Sequence, residues 1–168
     1  MAAQRHGIPR TRVVKCDRFR LGQSRVAVLW PPRSALPDRV LTDGRAINGT
    51  SIVLAITTGR QRVLLSGDLE DDHDEDLLET LPLDGRRWDL LKVAHHGSRT
   101  ASSRPLLQSL RPRVAAISAG ADNHYGHPAA ALLARLDEVG AMTWRTDSQG
   151  TLSASFDGRP RSAPAMRE

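Results

Sequence analysis

The chain is poor in several residues that decide function class. It has one cysteine, Cys16, which excludes an internal disulfide framework and a four-cysteine zinc site. Aromatic residues make up only 4%, so no ladder of rings interleaves with the basic residues as base stacking along a strand would require. No apolar run approaches the roughly 20 residues needed to cross a bilayer. The opening MAAQRHGIPRTRVVK has arginines but lacks the apolar stretch of a secretory signal, which predicts a soluble chain, cytoplasmic by default. Lysine is also scarce: 22 of the 24 basic residues are arginine, leaving Lys15 and Lys92.

What is present fits one globular domain. The 168 residues are long enough to bury a core, and 26% charged residues is ordinary. The net charge of +5 is unevenly spread. Residues 1–47 hold ten basic and three acidic residues, a balance of +7, and the remainder stands at −2. A basic first quarter suits either a polyanion or a solvated arginine-rich surface.

There is no internal repeat. Residues 30–49, with three prolines, predict an extended loop, and residues 157–168 a disordered tail. Between them, strands alternate with helices. Residues 51–58 and 62–66 read as a hairpin around Gly59-Arg60-Gln61, and 71–81 as a helix with a solvated acidic face (Asp71, Asp72, Asp74, Glu75, Asp76, Glu79). Residues 88–93 predict a buried strand. Ser102 or Ser103 is placed to cap a helix carrying Leu106, Leu107 and Leu110. Residues 114–118 predict a strand, Pro128 opens a helix that Gly140 ends, and 141–145 and 151–156 predict closing strands. The alternation argues an α/β fold, and the hairpin a mixed sheet flanked by helices.

Three polar segments each follow directly on an apolar strand: Ser66-Gly67-Asp68, His95-His96-Gly97-Ser98 and the stretch 118–128 with Asn123, His124, Tyr125 and His127. Ligands of layered α/β folds bind beyond strand ends, where carboxylates and imidazoles on neighbouring turns can share a metal. Each segment alone also fits a structural part: Asp68 and His127 as helix caps, the His pair as a surface loop. The ordered set predicts that Asp68, His95, His96 and His127 converge at one sheet edge.

The set NGTS (48–51), LLSGDLE (64–70), LLKVAHHGSRTASS (90–103), ISAGADNHYGHP (117–128) and WRTDSQGTL (144–152) closely resembles the C-terminal metallo-β-lactamase-fold domain of ComEC-type DNA-internalisation competence proteins, from about Gly7 to Phe156 and including VAVLWPP at 26–32. The resemblance implies an αββα hydrolase with one or two Zn or Mn ions, acting as a phosphodiesterase or nuclease linked to DNA uptake. It puts Asp68 on a carboxylate that bridges two metals and His95 or His96 on a histidine ligand. Asn123, His124, Tyr125 and His127 fall on the last active-site loop, where an imidazole or phenol orients phosphate or protonates a leaving group. The implied substrate is single-stranded DNA.

One departure matters. The superfamily's His-x-His-x-Asp-His motif is missing: the six histidines are His6, His73, His95, His96, His124 and His127, none in that spacing. The membrane channel region of the competence proteins, which are attached to the cytoplasmic membrane, is not in this sequence either. The expectation is therefore the second half of the domain, residues 1–156, with weak or absent metal binding alone and with the first half-domain or the channel region as partner. Its alternatives are a non-catalytic nucleic-acid-binding module and a degenerate half-domain.

Overall fold

The apolar runs pair with one another in the order in which they occur. In the computed structural model, which describes residues 5–82 and 84–153, seven strands form one sheet in the order β1-β2-β3-β4-β5-β6-β7. They are Arg18–Leu21, Ser24–Trp30, Val53–Thr58, Gln61–Leu65, Leu90–Lys92, Val114–Ile117 and Met142–Arg145. Strands β1 to β4 form an antiparallel meander. Strands β4 to β7 are parallel, so their C-terminal ends share one edge.

Among the described residues, four α-helices lie between strands, α1 Gly44–Asn48, α2 Asp74–Leu78, α3 Arg104–Leu110 and α4 Ala130–Glu138, and α5 Thr146–Gln149 follows β7. Ser103 caps α3 by accepting from the Leu106 amide, as the sequence predicts. Leu106, Leu107, Leu110, Leu132 and Leu136 pack with Leu64, Leu91, Ala115 and Ile117 in one buried core. Adjacent strand positions point to opposite faces, so the next register row lies on the other side of the sheet. There Phe19, Val26, Ile56, Val63, Leu90, Val114 and Met142 run across it, all outside that core. Phe19 and Met142 at its ends are 44% and 58% exposed.

The α/β class and mixed sheet match the sequence reading; several element bounds do not. Residues 30–49 are not extended throughout: a 3-10 turn covers Arg33–Ala35, and Asp43 caps α1 through the Ala46 amide. The predicted 71–81 helix is a 3-10 turn Asp71–His73 followed by the five residues of α2. The helix predicted from Pro128 starts at Ala130, because Ala129 is still extended. Residues 151–153 lie outside any strand, and the rest of 151–156, like the tail 157–168, falls outside the described residues. Strands β1 and β2 did not emerge from periodicity.

The acidic face of α2 also needs correcting. Asp72, Glu75, Asp76 and Glu79 are exposed, but Asp74 is buried at 3%. Its Oδ2 accepts from the Ser103 amide at 2.6 Å, tying α2 to the start of α3. Burial raises its pKa from 3.8 to about 6 despite that hydrogen bond.

Candidate active site

The three polar turns at the parallel strand ends are latched to one another by their backbones. Gly67 takes φ +56°, and a β-carbon there would meet Ser51 Cβ at 2.9 Å. Ser51 Oγ in turn accepts from the Asp68 amide at 3.1 Å. Gly67 O accepts from the His95 amide at 3.1 Å and from Lys92 Nζ at 2.9 Å, joining the first turn to the second. The second turn is left-handed over three residues, with φ +45° at His95, +53° at His96 and +86° at Gly97. Two consecutive non-glycine residues in that region are uncommon and are held there by their surroundings. Gly97 O accepts from the Ala129 amide at 2.9 Å, joining the second turn to the third.

This backbone fixes the imidazoles. His96 Nδ1 lies 2.6 Å from Ser118 O. A carbonyl only accepts, so Nδ1 carries the hydrogen and the neutral ring keeps its lone pair on Nε2. Nε2 stands 3.9 Å from Asp68 Oδ1. This is how a ligating histidine is commonly oriented: one nitrogen donates to a backbone carbonyl and the other is left to bind. His95 turns elsewhere: its buried Nδ1 lies 3.5 Å from Glu70 Oε1, beyond hydrogen-bond range. Glu70 is held by Asn48 Nδ2 at 3.1 Å and Thr100 Oγ1 at 3.3 Å.

The third turn carries a cavity of about 370 Å³ lined by His96, residues 118–120, Asn123, Tyr125 and His127. His127 sets its ring edge-on to His95, centroids 5.7 Å apart, and its buried Nδ1 has no hydrogen-bond partner among the described residues. Burial, helped by the charges of His95 and His96, holds its pKa below the usual imidazole value. Asn123 spends both ends of its amide on the backbone. Nδ2 donates to Gly120 O and His127 O, each at 2.7 Å, and Oδ1 accepts from the His127 amide at 3.0 Å. Tyr125 is 83% exposed, and His124, also exposed, is not among the cavity-lining residues.

Lys92 and Glu70 were missed by sequence reasoning. Lys92 sits at the end of β5 with Nζ 3.7 Å from Asp68 Oδ1, and burial lowers its pKa against the pull of that carboxylate. The signal was available: it is one of only two lysines in the chain and interrupts an apolar strand.

These donors do not complete a zinc or manganese site. Among the described residues no group of three or more His, Cys, Asp or Glu is placed to hold an ion. A protein zinc site takes three or four ligands, and Asp68 with His96 offers two. The Lys92 ammonium also stands beside the same Asp68 oxygen a cation would use.

No protein-family model matches the chain. Individual proteins do. Over 158 residues, 94% of the chain, it is 31% identical to ComE operon protein 3 of Bacillus subtilis, covering 19% of that protein. Over 120 residues, 71% of the chain, it is 35% identical to Recombination protein 2 of Haemophilus influenzae, covering 14% of it. Over 106 residues, 62% of the chain, it is 36% identical to competence protein ComA of Neisseria gonorrhoeae, covering 15% of it. The chain belongs to this competence-protein family. It spans at most 19% of the length of these relatives. Among solved structures, a CmlA β-hydroxylase superposes with a TM-score of 0.50 at 13% identity, covering 84% of this chain and 33% of that one. That likeness identifies the fold as that of the metallo-β-lactamases. No helix among the described residues is long and apolar enough to cross a membrane.

Proposed function

We propose that the chain is the substrate-facing part of a metallo-β-lactamase-fold phosphodiesterase that acts on DNA in competence, its metal shell completed by a His-x-His-x-Asp-His segment outside these residues. The observation that carries this is the latch of three turns. It presents the His96 Nε2 lone pair beside Asp68 and sets His127 with His96 on the wall of one cavity. The competence relatives support DNA as the polymer.

In this reading Asp68 and His96 are the donors the chain contributes to a zinc or manganese centre. His95, packed between Glu70 and His127, is a reserve donor and orients His127. His127 holds or releases a proton at the cavity, and its lowered pKa keeps it neutral there near pH 7. Asn123 acts through His127 by fixing the turn. The test is to join the chain to the motif-bearing segment of a relative and measure bis-p-nitrophenyl phosphate hydrolysis against the chain alone. Turnover should appear on joining. A joined protein that is folded and metal-loaded yet inert would overturn the reading.

A second reading, a binding module without catalysis, is favoured by a cleft of about 640 Å³ at the β1–β2 end of the sheet. Arg18, Arg20 and Arg25 line it together with Trp88, and none of the three makes an ion pair among the described residues. Arg62, the fourth guanidinium of the cleft, is held by Asp84.

A further inference from the structure

We propose that the ring of Tyr125 is a stacking platform that seats an unpaired base of a single-stranded nucleic acid beside His127. This rests on the phosphodiesterase reading above and adds to it the residue by which this chain would hold an unpaired strand.

The chain is sparing with rings, and Tyr125 is its only tyrosine. Instead of filling the core, it stands 83% exposed at the mouth of the third-turn cavity. The turn beneath it is rigid, because Asn123 clamps Gly120 and His127 from both ends of its amide. The phenol ring lies close to parallel with His127, at 23° and 6.0 Å between centroids, and its 83% exposure leaves ring surface open to a second flat group. The hydroxyl makes no hydrogen bond among the described residues, which leaves the ring as the feature on offer. A rigid, solvent-facing aromatic face beside an imidazole suits a ligand with a π-face next to an anionic phosphate. A nucleotide has both. In a duplex the base faces are already stacked, so only an unpaired base can use the platform.

The experiment measures binding of a fluorescein-labelled 20-mer oligothymidylate, the matching duplex and an abasic 20-mer to the 168-residue chain, in EDTA so that nothing is cleaved. Tyr125→Ala should weaken the oligothymidylate by about 5- to 100-fold, while Tyr125→Phe stays within about twofold of the parent. The duplex and the abasic strand should be indifferent to both changes. If Tyr125→Phe loses as much as Tyr125→Ala, the hydroxyl is the working group and the stacking proposal is overturned. Equal losses on all three ligands, or none on the oligothymidylate, overturn it too while leaving the phosphodiesterase reading standing. A parent chain that binds none of the three ligands overturns the stacking proposal, and the phosphodiesterase reading is then decided by the joined protein.

Discussion

Gly97 and Pro128 lie so close that a β-carbon on the glycine would sit 2.7 Å from Pro128 Cβ. This contact closes the second turn onto the third, and Gly97 holds φ +86° to make it. Gly97→Ala should therefore cost about 2–4 kcal/mol, from the left-handed backbone together with the overpacking. Gly120→Ala is the control, since its nearest neighbour would be 3.9 Å away. Urea denaturation of both variants checks this, and equal midpoints would refute the latch.

Asp74 predicts a pH dependence. Its folded pKa of about 6 lies above the ordinary carboxylate value of 3.8, so between those values the folded chain binds the extra proton. Its contribution to stability falls as pH rises through that window, by up to about 3 kcal/mol at neutral pH. Asp74→Asn keeps an acceptor for the Ser103 amide and removes the charge. The variant should match the parent near pH 3.5 and exceed its stability above pH 6.5. Parallel stability curves for parent and variant would mean that Asp74 ionises without penalty.

In the joined protein, Asp68→Ala and His96→Ala should lower bound zinc, measured by atomic absorption, along with turnover. His127→Ala should lower turnover about 100-fold with metal retained. Glu75→Ala, on the exposed face of α2, should change neither. Loss of metal in Glu75→Ala with retention in Asp68→Ala would move the site to the acidic helix.

The cleft reading has its own readout. Replacing Arg18, Arg20 and Arg25 with glutamine should flatten the dependence of log K on log salt for single-stranded DNA by about 2 units, roughly 0.7 per phosphate contact. An unchanged slope would show that the three guanidinium groups meet no phosphate.

How much of this could be read in the sequence follows from how local each signal is. The GD, HHGS and NHYGHP turns were legible because each carries its special residues directly after an apolar strand, and parallel strands bring such turns to one edge. Ser103 was legible as a cap for the same local reason. Strand β1 was not, because its alternation, Arg18-Phe19-Arg20-Leu21, is exposed on both faces and buries nothing. The burial of Asp74 depends on Ser103, 29 residues away, which no window on α2 contains. The same holds for Glu70, whose partners Asn48 and Thr100 come from both sides of it in the chain. Which histidine of the pair faces Asp68 was decided by the Ser118 carbonyl, another distant group.

Strand β1 is also the outermost strand of the meander. Among the described residues its outer side pairs with no strand and offers backbone amides and carbonyls that another chain could pair with, and edge strands commonly resist this by carrying cations. Arg18 and Arg20 put two cations on this edge strand, the kind of residue that opposes such pairing. Neutralising them for the salt experiment therefore changes the edge strand as well as the cleft. Sedimentation of the triple variant tells the two effects apart: oligomers that form without nucleic acid report on the opened edge.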